Sequence, residues 1–283
     1  MKYLLSVAVL LIVLCILPSG CSHSDNSSRA TAGDTVVFHT TALSDSVKFL
    51  ISGRDSACVK VRLSLALPAE YADSAALSQF ENKLSAYLLG YDTVSTASES
   101  FASIYIASVL DVFNGSNWAE VHDSLPGDHD EMSSDFTDVM INIDVYPVFN
   151  SNGIVSMCKH RTTIYSEPDT LSERFYFNYN LRDMSVVDIT SLISEDDFVE
   201  VSEMLRYRLL DDSGVRTNDE RIEQGDFNLD NLQVNNNFFI SSKGITWNYI
   251  PFEIACYKIG ESAITLSFDE LAPYLLILVD DKN

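Results

Sequence analysis

Alternating apolar and polar residues predict most of the strands. The stretch CVKVRLSLALP, residues 58–68, places Val59, Val61 and Leu63 on one face and Lys60 and Arg62 on the other, as in a half-buried antiparallel strand. Two alternating runs, residues 136–149 and 154–165, flank the turn sequence NSNG and predict a β-hairpin. Further strands are predicted in TVVFHTTAL (35–43), VKFLIS (47–52), RFYFNYNL (174–181), FFIS (238–241), GITWNYI (244–250) and AITLSF (263–268).

A helical period interrupts the strands at a few places. DSAALSQFENKLSAYLLG, residues 73–90, has an apolar stripe, a capping residue at Asp73 or Ser74, and Gly90 to end the helix. Helices are also predicted in ESFASIYIASVLDVFNG (99–115), SEDDFVEVSEMLRYRLL (194–210) and DELAPYLL (269–276). Strands in runs with single helices between them indicate an α+β fold, in which helices pack on antiparallel sheets.

The N-terminus predicts export and lipid attachment. After Lys2, residues 3–17 form an apolar run that is shorter than the roughly 20 residues of a membrane span and is typical of a signal peptide. The sequence LPSGC ends at Cys21 and resembles a bacterial lipobox, although Pro18 stands where such motifs carry an aliphatic residue. We therefore expect a signal peptide over 1–20, lipid attachment at Cys21 and a polar tether over 21–34; ordinary cleavage with a free Cys21 is the alternative.

The charge of the chain limits its partners. The 283 residues contain 18 Lys and Arg against 41 Asp and Glu, which gives a net charge of −23. Nucleic-acid binding needs a basic surface and is not expected, whereas cationic partners are attracted. The excess of acids also has a simpler interpretation, the solubility of an exported protein.

Neither a catalytic motif nor a cofactor or metal motif is found. The cysteines Cys58, Cys158 and Cys256 are too far apart for a paired zinc motif, and whether any two form a disulfide is left open. HDSLPGDHDEM, residues 122–132, has metal-ligand side chains, but a solvated acidic loop is the favoured interpretation because no predicted element positions them. Paired catalytic carboxylates remain open, since so many acids allow many pairs.

The C-terminal stretch carries a family resemblance. NNFFISSKGITWNYIPFEIACYKIGESAITLSFDELAPYL, residues 236–275, resembles the extracellular C-terminal domain of RsiV-type anti-sigma factors, whose pattern includes Y-x-P-Y-E-I-A-P-Y-x-x-G. The segments VKVRLSLALP and VFNSNGIVSM resemble a companion domain of PdaC-type peptidoglycan deacetylases. The resemblance implies two small α+β domains in tandem, a PdaC-type domain over 35–165 and an RsiV-like domain over 166–283.

The resemblance also implies a function. RsiV-type ectodomains bind lysozyme, a cationic protein, and here only Met1 and Lys2 precede the apolar run, so an anti-sigma factor of that design is not expected. We expect a non-catalytic lipoprotein of the bacterial cell envelope, at the outer membrane or the periplasmic face, that binds a protein such as lysozyme or a peptidoglycan glycan. An enzyme acting on cell-wall polymers and a structural or assembly lipoprotein are the alternatives.

Four residues of the motif are the candidate ligand contacts: Tyr249, Pro251, Glu253 and Tyr257. Pro251 cannot donate to a sheet ladder and must lie at a strand end, an edge or a bulge. The two tyrosines can bury their rings while their hydroxyls find partners. Glu253 fits a ligand contact and equally a cap for backbone N–H groups, so the segment is either a binding edge or a structural turn.

Overall fold

The computed structural model of the protein describes residues 35–51, 55–90, 98–113, 138–165, 170–213, 227–257 and 259–276. The predicted signal peptide over 1–20, the tether over 21–34 with Cys21, and the acidic stretch over 122–132 lie outside these residues. No helix within the described ranges is long and apolar enough to cross a membrane.

A six-stranded sheet forms the larger part of the structure. Its strands are β1 (Val37–Ile51), β2 (Asp55–Glu70), β3 (Asp138–Ser151), β4 (Ile154–Ile164), β5 (Thr170–Asn180) and β6 (Ser185–Val186), and they neighbour one another in that order. The pairs are antiparallel except for β2 and β3, which are parallel. The prediction of two short strands at the start is wrong: β1 is continuous because it pairs along the whole length of β2.

Two helices cover one face of this sheet. Helix α1 (Ser74–Leu89) begins where Asp73 accepts hydrogen bonds from the N–H groups of Ala75 and Ala76, and it ends at Gly90 in the left-handed conformation. Helix α2 (Ser98–Asp111) follows it and packs against β1 and β2. The core between helices and sheet contains the predicted strand faces, with Val59, Val61, Leu63 and Leu65, and the α1 stripe of Phe80, Leu84 and Leu88.

A smaller three-stranded sheet holds the C-terminal core. Helix α3 (Phe198–Ser213) precedes strands β7 (Phe238–Ser241), β8 (Gly244–Tyr249) and β9 (Ser262–Ser267), which pair antiparallel with β8 in the centre. All six residues of β8 are buried. The short helix α4 (Phe268–Leu271) begins with a capping box formed by Ser267 and Glu270.

Helix α4 ends earlier than the sequence predicts. Pro273 lies two residues beyond Leu271 and has no N–H to continue the helical ladder. The chain instead turns, with the N–H groups of Tyr274 and Leu275 both donating to the Leu271 carbonyl. The apolar residues after Pro273 that suggested a longer helix therefore lie beyond its end.

The two sheets meet through buried polar side chains. Asn178 of β5 donates to the Phe238 carbonyl at 2.7 Å, and Ser156 of β4 bonds to both Asn178 and the backbone of Ile240. Ser156 and Asn178 are 0% and 2% exposed, so these bonds fix the position of β7 against β4 and β5 in the absence of water.

The α+β prediction is confirmed: two mostly antiparallel sheets carry single helices. The predicted boundary between residues 165 and 166 falls in the connection between β4 and β5, which pair over their full lengths. The hydrophobic cluster of the larger sheet extends to Leu181, and that of the smaller sheet begins at Val187. The division into a PdaC-type and an RsiV-like domain stays a prediction.

Candidate functional site

The segment after β8 is a turn built around Pro251 and Glu253. The N–H of Ile250 donates to the Glu253 carboxylate at 3.0 Å, the N–H of Glu253 donates to the Ile250 carbonyl, and the N–H of Phe252 donates to the Ala255 carbonyl. Pro251 lies two residues after the end of β8, outside the strand, as expected for a residue without a donor. Glu253 therefore holds the turn closed, as the capping alternative predicted.

Three of the four candidate contacts point into the protein or serve the turn itself. Tyr249 is 1% exposed, and its hydroxyl donates to the Gln233 carbonyl at 2.9 Å. Burial, together with the nearby charge of Glu253, raises the pKa of Tyr249. Pro251 is buried, Glu253 is half-buried, and Tyr257 lies on the surface. Tyr257 is thus the residue of this set that a ligand reaches most directly.

Tyr257 forms an exposed aromatic pair with Phe252. Their ring centroids are 5.7 Å apart at 24°, and the side chains are 39% and 44% exposed. The Tyr257 hydroxyl donates to the Thr170 carbonyl of β5 at 2.8 Å. Phe252 has a φ of +71°, which is unusual for a bulky residue. The turn therefore holds an apolar ring outward at a cost in backbone strain.

A charged side chain of the larger sheet contacts the segment that follows the turn. Arg174 of β5 forms an ion pair with Glu261, which follows the turn. Across the strands, Asp144, His160 and Arg174 are register partners, and His160 bonds to Ser172 at 2.9 Å. We call Phe252, Tyr257, Arg174, Glu261 and His160 together the junction surface, because it joins the turn to the larger sheet.

Burial shifts the pKa values of two side chains in this region. Burial and Arg174 lower the pKa of His160, while Glu261 and Asp144 act in the opposite direction, so the imidazole is mainly neutral at pH 7. Burial raises the pKa of the Cys158 thiol despite contacts with Tyr146, Arg174 and Tyr176. A thiol that is buried and protonated is a poor nucleophile.

A polar groove continues the junction surface across the larger sheet. It has a volume of about 630 Å³ and lies on the face opposite α1 and α2. Its polar lining residues are Ser44, Arg62, Ser64, Asn142, Asp144 and Thr162. Asp144 connects the groove to the junction surface because it faces His160 on the neighbouring strand.

The sequence analysis missed most of the junction surface. Phe252 lies between the candidate residues Pro251 and Glu253 and was not selected, although a tyrosine is usual at its position in the RsiV-type pattern that the segment resembles. Arg174, His160 and Glu261 come from distant parts of the chain: strand pairing joins His160 to Arg174, and an ion pair joins Arg174 to Glu261. No cluster of His, Cys, Asp or Glu able to hold a metal occurs within the residues that the structure describes.

Comparisons with known proteins identify the C-terminal part. Residues 192–269, which include α3, the three-stranded sheet and the turn, match the model of a protein family of unknown function, DUF3298. The chain contains a DUF3298 domain. This DUF3298 domain supplies Phe252, Tyr257 and Glu261 of the junction surface, whereas Arg174 and His160 precede it.

Solved structures of DUF3298 proteins share the fold over most of the chain. A DUF3298 family member from Bacteroides fragilis NCTC 9343 is 12% identical, with a TM-score of 0.66 over 86% of this chain and 95% of its own. A DUF3298 family protein from Pseudomonas aeruginosa PAO1 is also 12% identical, with a TM-score of 0.51 over 86% and 96%. No curated protein matches the sequence. At such low identity these likenesses show the fold alone.

Proposed function

We propose that the protein is a non-catalytic lipoprotein of the bacterial cell envelope that binds an extracytoplasmic ligand at the junction surface. The observation that carries the proposal is the Phe252–Tyr257 pair, two exposed aromatic rings held by a turn in which Phe252 adopts a φ of +71°. Strained backbone at an exposed aromatic residue favours a role in binding over a role in folding. The RsiV-like and PdaC-type assignments, and lipid attachment at Cys21, belong to this proposal.

The geometry favours a cell-wall glycan as the ligand. Sugar rings have apolar faces that pack on aromatic rings and hydroxyl groups that bond to polar side chains. The junction surface offers both, because it combines the exposed aromatic pair with the Arg174–Glu261 ion pair, and the polar groove meets it at Asp144, the register partner of His160. A groove open to solvent accepts a polymer that continues beyond the binding site.

Substitution of Phe252 tests this proposal. Phe252→Asn removes the ring, and asparagine accepts a positive φ more readily than phenylalanine does, so we expect unchanged thermal stability. Binding to purified peptidoglycan sacculi, measured by co-sedimentation over a range of sacculus concentrations, is expected to weaken at least tenfold. Tyr207→Asn is the matched control because Tyr207 is also exposed, at 66%, but lies on α3 outside the junction surface.

Two results would overturn the glycan proposal. One is that the unsubstituted protein does not sediment with sacculi. The other is that Phe252→Asn binds as well as the Tyr207→Asn control. An enzyme remains the competing class, and steady release of soluble fragments from peptidoglycan by the purified protein would favour it.

A cationic protein is the second candidate ligand, and the net charge of −23 favours it. The resemblance to RsiV-type ectodomains makes lysozyme the first partner to test. Attraction between complementary charges increases the rate of association, and salt weakens this attraction by screening it. Calorimetric titration with lysozyme at low salt and at about 0.15 M salt distinguishes specific from non-specific binding. Specific binding is still measured at the higher salt, whereas non-specific attraction is lost.

A further inference from the structure

A cleft on the helix-covered side of the larger sheet contains charged residues where the sheet is otherwise apolar. Residues Lys159 and Arg161 of β4 and Glu173 of β5 line it together with side chains of α1 and α2. The cleft has a volume of about 330 Å³. Its apolar lining includes Leu88, Val109, Ile143 and Phe175.

Two aromatic rings lie close to the Lys159 ammonium group. The Lys159 Nζ lies 4.9 Å from the centroid of Phe175 and 5.6 Å from that of Tyr87, within the range of cation–π contacts. Burial and the charge of Arg161 lower the pKa of Lys159, and Glu173 acts in the opposite direction. The ammonium group is therefore poorly neutralised by its surroundings.

Arg161 is also incompletely satisfied. Its Nε is buried and has no hydrogen-bond partner. Arg161 and Glu173 are register partners, yet among the residues that the structure describes no ion pair joins Glu173 to either cation. Two cations face one carboxylate, which leaves the cleft positive in a chain whose net charge is −23.

Such an arrangement is costly unless a ligand completes it. Buried charges without close partners destabilise a fold, and apolar residues of similar size are often better tolerated. Ligand sites have this composition: apolar walls, a few convergent polar groups and volumes of about 300–1,000 Å³. The small volume excludes a polymer or a protein as the occupant.

We propose that this cleft binds a small amphipathic anion, with an acidic group between Lys159 and Arg161 and an apolar body against Phe175 and Val109. The cleft lies on the helix-covered face of the larger sheet and the polar groove on the opposite face. It is a site separate from the junction surface, and Phe252→Asn leaves its binding unchanged, so the two proposals fail or stand independently.

Octanoate and octanol are the probes because they share a hydrocarbon chain and differ in charge. Octanoate is expected to bind in calorimetric titration and to raise the midpoint of thermal unfolding, and octanol is not. Lys159→Met is expected to weaken octanoate binding at least tenfold. Without ligand its unfolding midpoint is expected to be equal to or higher than that of the unsubstituted protein, because a desolvated charge is removed.

Two further variants guard against a trivial loss of binding. Glu173→Gln removes the competing negative charge and is expected to tighten octanoate binding, an effect that damage to the fold does not produce. Arg62→Gln removes an exposed cation on the opposite face of the sheet and is expected to leave octanoate binding unchanged. Equal effects of octanoate and octanol, no octanoate binding at millimolar concentration, or full binding by Lys159→Met would each overturn the proposal.

Discussion

The Asn237 side chain hydrogen-bonds to the β5 backbone as a paired strand would. Its side-chain oxygen accepts from the Tyr176 N–H at 3.0 Å, and its side-chain nitrogen donates to the Arg174 carbonyl at 2.9 Å. Further along the same edge, Val187 donates to the Asn178 carbonyl and β6 continues the pairing. Asn237, together with Asn248, which also donates to the Arg174 carbonyl at 3.0 Å, thus covers part of this sheet edge and fixes the backbone that carries Arg174.

Asn237→Ala is expected to lower the free energy of unfolding by about 2 kcal/mol, because the largely buried Tyr176 N–H loses its partner. Urea unfolding followed by circular dichroism measures the change. The control is Asn231→Ala, since Asn231 is exposed and makes only a long bond of 3.4 Å to the Glu253 carbonyl. Equal free energies of unfolding for the two variants would show that the Asn237 hydrogen bonds do not contribute to stability.

At the scale of elements, local signals were sufficient for most strands and helices, but not for the continuous β1 or for the end of α4. Asp73 and Gly90 bound α1 as the capping pattern predicts, and the NSNG turn joins β3 and β4. Pairing between distant segments was not predictable in the same way. Nothing local indicates that β2 lies parallel to β3, after two helices and a long connection, because register depends on contacts far apart in sequence.

The same limit applies to the candidate site. The motif around Tyr249 identified the turn, and the structure shows Glu253 closing it. It did not identify Arg174 or His160, which lie outside the motif on the paired strands β5 and β4 and of which Arg174 contacts Glu261 after the turn. Lys159 and Arg161 follow the strand alternation on the apolar side, and only the helices above them show that this side is enclosed.

Gly244 at the start of β8 is the position where the smaller sheet tolerates no side chain. Its φ is +145°, and a Cβ atom there would lie 2.1 Å from the Leu266 carbonyl oxygen of β9. Gly244→Ala is expected to cost at least about 3 kcal/mol of stability. Gly90→Ala, with a φ of +71° and open space around it, is the control and is expected to cost about 1 kcal/mol. Thermal unfolding of both variants measures these losses of stability. Equal losses in Gly244→Ala and Gly90→Ala would contradict the steric argument.

At the scale of the whole molecule, the net charge and the proposed lipid attachment would act together. A net charge of −23 attracts cations, but at about 0.1 M salt the field of exposed charges decays within about 10 Å. The charge therefore selects among partners that are already close, and the proposed position in the cell envelope would supply that proximity. The two proposed sites serve different ligands under this arrangement, a polymer on the exposed surface and a small anion under the helices.

Attachment through Cys21 is the condition on which this picture depends. Stable anchoring needs more than one acyl chain, and the lipidated cysteine of a bacterial lipoprotein carries a diacylglyceryl group. We expect the full-length chain, expressed in bacteria fed labelled palmitate, to carry the label and to have a mature N-terminus at residue 21 by mass spectrometry. Cys21→Ser abolishes the label, whereas Cys58→Ser, which removes a thiol from β2, keeps it. Two results would contradict lipid attachment at Cys21: label that persists in Cys21→Ser, or an unlabelled chain that begins at another residue. An unlabelled chain would indicate ordinary export, and the junction surface would then bind its ligand without a membrane anchor.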